Sequence, residues 1–368
     1  MKILELCLSP GRGGLELYVV KVCRWAKEAG HDVQAITRTG SYLDNWLSQI
    51  DVNHSEIRII NRHFPLLAAK NIARMIDEKA IDVIHMHWGK DLALAVLAKQ
   101  FAHRSVRLIY TRQMALTRRK GDIYHRHLYR NIDYYVVISR RLHEQAVKYL
   151  PMPEERIQLL YYGVAAPQVS EKFECDKFLE QFSLSTSDFK IGLFGRIEHG
   201  KGQHILFDAV RDLVAAGYNV SAYLIGHIMD QEYFNGLKKD AIDYNIENNF
   251  TYIGFHDNPS RFMHCFDVVV LASYCETFGL VLIESMRAGC AVIGTNCGGV
   301  PEIIDNGKTG LLIEPGDSNG LRNALEKLIN DEVYRKELAI TGKRMADECF
   351  SEEKHFNCLE AFFSGKPG

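Results

Sequence analysis

Residues 274–304 read YCETFGLVLIESMRAGCAVIGTNCGGVPEII and follow an apolar, β-branched run, FDVVVLAS. That run is typical of a buried parallel strand, and the apolar spacing after Gly279 predicts a helix through Met286. Glu276 then lies in the loop before the helix, and Glu284 lies within it, roughly 7 Å along the axis from the first turn. Two carboxylates at this separation, with the free amides of the first turn between them, suit the two polar ends of one elongated ligand.

A plainer interpretation of the same stretch is a strand, a loop and a helix in which the glutamates only cap the helix and face the solvent. The neighbouring sequence favours the binding interpretation. A second glycine turn, Gly298-Gly299, follows the next predicted strand, AVIGT. Another helix can begin at this turn, at the same edge of the predicted sheet.

The composition is that of a globular protein with room for two cores. The chain has 368 residues, of which 47% are hydrophobic and 24% are charged. The longest uncharged run, residues 213–229, is broken by Gly217 and Asn219, and the chain enters a strand directly, so we predict neither a membrane span nor a signal peptide. Nine cysteines, odd in number and scattered, favour free thiols in a reducing cytoplasm over disulfides or a zinc site.

Charge is divided unequally along the chain. Residues 1–165 hold 25 Lys and Arg against 16 Asp and Glu, a net charge of +9, whereas residues 166–368 hold 19 against 30, a net charge of −11. The basic part suits nucleic acid, an anionic membrane surface or a phosphorylated substrate, and charge alone does not choose among them.

Strand-like runs alternate with amphipathic helical runs, which indicates βαβ crossovers and parallel sheets. The strand-like runs are KILELCLS, DVQAIT, EIRII, DVIHMHW, VRLIYT, YYVVIS and IQLLYYG, then FKIGLFGR, NVSAYLIG, FTYIGF, DVVVLAS, AVIGT and TGLLIEP. The predicted fold is α/β, with two Rossmann-like doubly wound domains over residues 1–165 and 189–350 and a linker over residues 166–188. A last helix, about residues 351–368, is expected to pack back on the first domain. Such sheets bind ligands beyond the carboxyl ends of their strands, so the two domains are expected to face a cleft.

The first predicted loop, residues 9–14, joins a strand to a helix through SPGRGG and has little side-chain bulk. Backbone amides at Gly13 and Gly14 can therefore approach a phosphate closely, although a glycine turn that serves only tight packing is the alternative. The loop is not a dinucleotide fingerprint, because Glu16 stands where the third glycine would be. The second strand also ends in Thr37-Arg38, without the acid that holds an NAD ribose.

His87 ends the fourth predicted strand on the cleft side and is a candidate ligand-binding residue. A lone histidine at a strand end is more often structural. His85 shares the same face of the sheet but lies deeper, where a core role suits it better.

In FKIGLFGRIEHGKG, Arg196 ends a strand and Lys201 precedes a helix. Two cations that flank a glycine-bearing loop at a helix N-terminus form a good clamp for a diphosphate, since the guanidinium offers a planar fork and the ammonium a point charge. A solvated turn with two surface cations is the alternative.

The segment Arg112–Arg130, RQMALTRRKGDIYHRHLYR, interleaves basic and apolar residues. Its candidate contacts with an acceptor or an anionic membrane surface are Arg112, Arg118, Arg119 and Lys120. An ordinary solvated helix face is the alternative. Nucleic acid is not favoured, because no binding motif accompanies the charges.

Together these motifs resemble the retaining glycosyltransferases of family 4, which have the GT-B architecture. The resemblance covers both predicted domains, and GGVPEIIDNGKTGLLIEP, which begins at Gly298, is its most specific block. The other matching features are the turn at Gly13-Gly14, the strand ending in His87, the turn at Tyr162–Val164, GRIEHGKG, and the pair Glu276 and Glu284.

The resemblance implies a role for each matched residue of the second domain. Arg196 and Lys201 would hold the donor diphosphate, and Glu284 would accept hydrogen bonds from the ribose hydroxyls. Glu276 would bind sugar hydroxyls, helped by the amides around Phe278-Gly279-Leu280.

In the first domain, the resemblance implies that His87 bonds to the transferred sugar and that Gly13-Gly14 closes over the phosphates. It also implies catalysis without a metal, and no Asp-x-Asp pattern is present. The sequence departs from the family pattern at Gln113, where many members have histidine. Tyr162 and Ala291 replace a frequent asparagine and a frequent proline.

The expected function is transfer of a hexose-type sugar from a UDP- or GDP-sugar to a glycan or lipid-linked acceptor, with no cofactor. Lipopolysaccharide or other cell-surface polysaccharide synthesis is the expected process. The expected location is the cytoplasm, at the inner face of the cytoplasmic membrane. A catalytically silent nucleotide-sugar-binding protein and an NADP-dependent oxidoreductase are the alternatives, and the missing fingerprint argues against the second.

Overall fold

A computed structural model describes residues 1–57, 65–167, 173–182, 188–256 and 258–366. The chain divides into two compact units. The first contains Met1–Tyr161 and His355–Gly368, and the second contains Tyr162–Lys354. The first unit is therefore discontinuous in sequence.

In the described part of the first unit, seven strands form one parallel sheet: β1 (Lys2–Cys7), β2 (Asp32–Arg38), β3 (Asn53–Ile57), β4 (Val83–Met86), β5 (Arg107–Arg112), β6 (Tyr134–Val137) and β7 (Ile157–Leu159). Their order is β3-β2-β1-β4-β5-β6-β7. The connecting helices are α1 (Gly14–Glu28), α2 (Tyr42–Gln49), α3 (Leu66–Lys79), α4 (Leu92–Phe101), α5 (Ile123–Arg130) and α6 (Arg140–Tyr149). The central strands are apolar because helices cover both faces of such a sheet, and β4 is buried along its whole length.

The second unit begins with α7 (Phe173–Gln181) and contains a parallel sheet of β8 (Phe189–Phe194), β9 (Val220–Ile225), β10 (Phe250–Gly254), β11 (Val268–Leu271), β12 (Ala291–Thr295) and β13 (Leu311–Ile313). The strand order is β10-β9-β8-β11-β12-β13. Its further helices are α8 (Gln203–Ala215), α9 (Gln231–Asp243), α10 (Leu280–Arg287), α11 (Ser318–Asn330) and α12 (Glu332–Cys349). The two doubly wound parallel sheets confirm the predicted α/β class.

In each sheet the strand order reverses at one point, between β1 and β4 in the first unit and between β8 and β11 in the second. Connections leave such a point toward opposite faces, so the loops after these strands diverge and form a crevice. The predicted site residues in these loops are Gly13, Gly14, His87, Arg196, Lys201 and Glu276.

The predicted linker, residues 166–188, is not a plain connection, because it contains α7. The ring of Phe178 in α7 stacks on Phe262, with centroids 4.2 Å apart, and Cys175 forms a disulfide with Cys265. The segment therefore packs on the second unit through aromatic burial. The prediction of free thiols without disulfides is wrong at this pair of cysteines.

The last helix, α13 (Glu352–Ser364), belongs to the first unit from His355 onwards. Phe356 stacks on Trp25 of α1, with ring centroids 4.9 Å apart, and Phe363 is fully buried. Arg107 of β5 donates a hydrogen bond to the Phe363 carbonyl. Among the described residues, no helix combines the length and the apolar character needed to cross a bilayer.

Candidate active site

Lys201 and Glu276 meet at the point where the strand order of the second sheet reverses. Lys201 closes the loop after β8, and Glu276 lies in the loop after the neighbouring strand β11. The Lys201 ammonium donates to Glu276 Oε2 at 2.8 Å, and the two side chains are 22% and 19% exposed. The structure thus joins two residues that belong to separate sequence motifs.

The glycine turn after β12 fixes the backbone of Glu276. Gly299 N–H donates to the Glu276 carbonyl at 3.3 Å. Gly298 has a φ of +62°, and a Cβ at this position would lie 1.5 Å from the same carbonyl oxygen, so only glycine fits. A short 3₁₀ turn, Val300–Glu302, follows in place of the helix that the sequence suggested.

The helix predicted after Gly279 is α10, which begins at Leu280. Gly279 caps it with a φ of +102°, and Glu284 lies half-buried within it. Phe278 is buried, and its ring contacts Tyr162 edge to face with centroids 5.9 Å apart. The ring therefore anchors the loop, and a ligand at the N-terminus of α10 would meet backbone amides.

Arg196 follows Gly195 at the end of β8, and its guanidinium pairs with Glu198 at 2.9 Å. The side chain is 58% exposed. The backbone carbonyl of Arg196 accepts a hydrogen bond of 2.8 Å from the side-chain amide of Gln203, which is buried at the start of α8. Both cations of the predicted clamp thus have a carboxylate partner, a feature that sequence spacing does not reveal.

A cluster of aromatic and imidazole rings beside Lys201 was not predicted. His204 Nδ1 lies 2.8 Å from the Tyr233 hydroxyl, and His204 Nε2 lies 3.1 Å from the Tyr274 hydroxyl. The His199 ring stacks on Tyr274, with centroids 5.6 Å apart and an interplanar angle of 4°. Burial, and then His199, lower the pKa of His204. The sequence signal was the spacing of His199 and His204 across the start of α8.

In the first unit, the glycine turn is built around Glu16. The Glu16 carboxylate accepts the Gly13 N–H at 2.8 Å, and a Cβ at Gly11 would lie 2.8 Å from Glu16 Oε1. Glu16 is 3% exposed. The Gly13 amide, which we predicted to approach a phosphate, is therefore already donated to a carboxylate. Gly14 is exposed and begins α1.

His87 is 1% exposed and does not project freely from the end of β4. Its Nε2 lies 2.6 Å from Glu5 Oε2. The other carboxylate oxygen lies 3.0 Å from Nδ1 of His85, and His85 Nε2 lies 2.8 Å from the Thr111 hydroxyl. Glu5 is fully buried on β1, in register with His85 on β4. The sequence analysis missed Glu5, although an acidic residue within an apolar strand was a visible signal.

Burial and charge set the protonation of this cluster. Burial alone raises the pKa of Glu5, but His85 and His87 lower it to about 2. Burial, and then His85, lower the pKa of His87 to about 4. At neutral pH, His87 is therefore a neutral imidazole whose Nε2–H donates to the Glu5 carboxylate. Its Nδ1 is buried and has no hydrogen-bond partner among the described residues.

Two clusters of described residues bring three potential metal ligands within 4.8 Å of one another; they are Glu5, His85 and His87, and Cys175, His264 and Cys265. In the first cluster, ring nitrogens already occupy both carboxylate oxygens. In the second, the two sulfur atoms are bonded to each other.

Arg112 has a structural role in the turn after β5. Its guanidinium donates to the Tyr110 hydroxyl at 2.8 Å and to the carbonyls of Met114 and Ala115 at 2.6 Å and 2.9 Å. All three guanidinium nitrogens therefore contact the protein in this turn, and binding of an acceptor or a membrane by Arg112 stays a prediction.

The other basic residues of this segment surround a cavity. Arg118 and Arg119 are exposed, and Lys120 is half-buried. A cavity of about 380 Å³ lies between α5 and the end of α6, and its basic lining residues are Arg119, Arg126, Arg130 and Lys148. Among the described residues, no acidic side chain lines this cavity. The structure therefore places a cationic cavity where the sequence shows only a basic run.

The parallel-sheet units and the motifs at their strand ends define a glycosyltransferase of the GT-B class. Residues 176–345 match the family Glycosyl transferases group 1, and residues 12–166 match Glycosyltransferase Family 4. The chain therefore belongs to the group 1 glycosyltransferases of the family 4 type.

Three known proteins illustrate the relationship. The chain is 30% identical to the capsular polysaccharide biosynthesis glycosyltransferase CapM of Staphylococcus aureus, over 62% of this chain and 60% of CapM. It is 24% identical to N-acetyl-alpha-D-glucosaminyl L-malate synthase of Bacillus anthracis, over 96% and 94% of the two chains. The crystal structure of Anabaena Alr3699/HepE in complex with UDP superposes with a TM-score of 0.87 at 22% identity, over 99% and 100% of the two chains. At that identity, the superposition establishes the fold.

Proposed function

We propose that this glycosyltransferase moves a hexose-type sugar from a nucleotide-diphosphate sugar to a glycan or lipid-linked acceptor, with retention at the anomeric carbon. The observation that carries the proposal is the Lys201–Glu276 pair, 2.8 Å apart, in the loops after β8 and β11. This is the crevice where parallel sheets bind phosphorylated ligands.

The proposed chemistry depends on stabilising the leaving diphosphate. Breaking the bond from sugar to phosphate develops negative charge on the diphosphate, and fixed cations stabilise that charge without reorganising. Lys201 and Arg196 supply the cations, and the N-terminus of α10 supplies amides. On donor binding, the diphosphate would take over contacts that Glu276 and Glu198 make with these cations.

The remaining donor contacts follow the placement of the other carboxylates. Glu284, one turn into α10, would accept hydrogen bonds from the ribose, and Glu276 would bind sugar hydroxyls. The Nδ1 of His87 would accept a hydrogen bond from a sugar hydroxyl. We also propose Gly14 as a phosphate contact, as the family resemblance implies. The UDP complex of HepE is in line with a UDP-sugar, and a GDP-sugar is the alternative donor.

We propose that the reaction needs no metal ion and no cofactor. The acceptor attacks on the face that the diphosphate leaves, and the departing phosphate takes the acceptor proton. Undiminished transfer in the presence of EDTA is the expected result, and loss that added Mg²⁺ restores would contradict it.

The proposed acceptor belongs to lipopolysaccharide or another cell-surface polysaccharide, and the enzyme would work at the inner face of the cytoplasmic membrane. The relationship to a capsular polysaccharide enzyme supports this class of acceptor. The cationic cavity at Arg119, with exposed Ile123 on the neighbouring helix, supports contact with anionic lipid.

A panel of nucleotide sugars tests the proposal. We expect release of the nucleoside diphosphate from one donor, slowly with water and faster with an acceptor glycan. The anomeric configuration of the product, read by NMR, tests retention. Binding of a nucleotide sugar with no turnover would favour the catalytically silent protein, and an absorbance change with NADP and a sugar would favour the oxidoreductase.

A further inference from the structure

A buried chain of hydrogen bonds runs through the first unit from His87 to the backbone of Tyr161. Its side chains, in order, are His87, Glu5, His85, Thr111, Tyr18 and His355, and its last member is the Tyr161 carbonyl. All six side chains are at most 5% exposed. The chain of contacts is therefore shielded from water, and each proton in it must point to a specific partner.

The Tyr161 end sets the direction of these protons. A carbonyl oxygen only accepts, so His355 donates from Nδ1 to Tyr161 at 2.7 Å. Burial lowers the pKa of His355 to about 4, so its ring is neutral at pH 7 and Nε2 is an acceptor. The Tyr18 hydroxyl, 3.0 Å away, therefore donates to His355.

The contacts of the carboxylate follow from its charge. The two histidines lower the pKa of Glu5 to about 2, so its oxygens only accept. Nδ1–H of His85 therefore donates to Glu5 at 3.0 Å, and His85 Nε2 lies 2.8 Å from the Thr111 hydroxyl. These two contacts hold the His85 ring against one oxygen of the buried carboxylate.

One oxygen of Glu5 remains for His87. A carboxylate without a proton only accepts, so the 2.6 Å contact requires a proton on Nε2 of His87. A neutral imidazole then has a bare lone pair on Nδ1, the buried atom without a partner among the described residues. An unsatisfied buried acceptor is costly unless a ligand supplies a donor.

We propose that Glu5 and His85 are positioning residues that hold His87 in its Nε2–H form, so that Nδ1 accepts a hydrogen bond from a hydroxyl of the transferred sugar. The identity of the ligand rests on the proposed function, whereas the form of the ring does not. His87 then selects donor sugars that present a free hydroxyl to Nδ1 and rejects those whose hydroxyl is absent, because the buried acceptor would stay unpaired.

The state of the ring is measurable on the wild-type protein without turnover. In protein labelled with ¹⁵N-histidine, long-range ¹H–¹⁵N correlation distinguishes a protonated from a bare ring nitrogen, and His87→Asn and His85→Asn assign the two spectra by difference. At pH 7 we expect His87 with a bare Nδ1 and a protonated Nε2. A proton on Nδ1 of His87 would overturn the proposal.

Kinetics test whether Glu5 acts through His87. In Glu5→Gln the amide can donate to Nε2 and so favours the opposite ring form; we expect kcat/KM for the donor to fall about 10- to 100-fold, the range for lost orienting partners. With His87→Asn already present, Glu5→Gln should cost little more. Fully additive losses would mean that Glu5 has a structural role only.

Donor analogues provide the control on specificity. Among donors that each lack one sugar hydroxyl, one should be transferred much more slowly than the parent donor by the wild-type enzyme. With His87→Asn, the difference between this donor and the parent donor should be much smaller. Equal rate losses with both enzymes would contradict the contact. If the wild-type protein turns over no nucleotide sugar at all, the proposed function fails, but the NMR result still decides the form of the ring.

Discussion

Gly298→Ala tests whether the turn after β12 positions Glu276. A residue with a Cβ costs about 1–2 kcal/mol in the left-handed region, where Gly298 lies at a φ of +62°. In addition, the new Cβ would lie 1.5 Å from the Glu276 carbonyl oxygen. A non-bonded carbon–oxygen contact needs about 3.3 Å, so the loop must retreat by roughly 2 Å. A displacement of 1 Å at a reacting group can cost about 10²-fold in rate.

Gly289→Ala is the matched control. Gly289 also has a positive φ, +84°, but a Cβ there meets no atom within 4 Å. Both variants should lose stability from the backbone conformation, whereas only Gly298→Ala should lose transfer, by about 10²-fold or more.

We would measure the initial rate of transfer and the urea unfolding midpoint of both variants to test whether the turn positions Glu276. Gly298→Ala should also unfold at a lower midpoint than Gly289→Ala, because it carries the clash as well. If Gly298→Ala keeps wild-type turnover and matches the stability of Gly289→Ala, the turn does not position the carboxylate.

Three further predictions concern the clamp, the buried histidines and the basic surface. Lys201→Ala and Arg196→Ala should each lower turnover about 10²-fold or more, because each removes a fixed cation from the leaving diphosphate; near-normal initial rates in both would remove the clamp from the mechanism. His87 and His355 have pKa values of about 4 in the folded state and about 6.5 in the unfolded state. Between these values the unfolded state binds more protons than the folded state. The free energy of unfolding should therefore fall by roughly 1.4 kcal/mol per histidine for each pH unit from pH 6.5 towards pH 4. A series of urea midpoints checks this, and a flat profile across that interval would contradict it. Arg119→Glu with Arg126→Glu should weaken co-sedimentation with anionic vesicles, whereas the same reversal at exposed Lys70 and Arg74 on α3 should not; equal binding by both pairs would exclude the cavity as the lipid contact.

The sheet strands were predictable because parallel strands are buried on both faces and leave apolar, β-branched runs such as VVVL in β11. The start of α10 was predictable for a similarly local reason, since Gly279 has a backbone conformation that favours glycine. The sequence motifs also predicted Lys201 and Glu276 as site residues, but they gave no sign of the direct contact between the two side chains.

The remaining features depend on contacts between residues distant in sequence. Glu5 and His87 are 82 positions apart and become partners only because β1 and β4 are neighbours in the sheet. The helix α7 has a short, mixed sequence. It is held in place by the disulfide from Cys175 to Cys265, 90 positions away, and by the stacking of Phe178 on Phe262. Arg112 lies in a basic stretch of the sequence, and only the structure shows that its guanidinium binds atoms of its own turn.

The discontinuity of the first unit has a consequence for synthesis on the ribosome. Residues from His355 onwards complete this unit, with Phe356 on Trp25 and His355 on the Tyr18 hydroxyl, yet they are translated after the whole second unit. In the nascent chain, the first unit therefore stays incomplete while the second unit can already fold. During this time the apolar surface that α13 later covers is exposed to chaperones. An N-terminal fragment ending at Tyr161 would remain in that state permanently, unless the α13 segment were grafted onto it or supplied as a peptide.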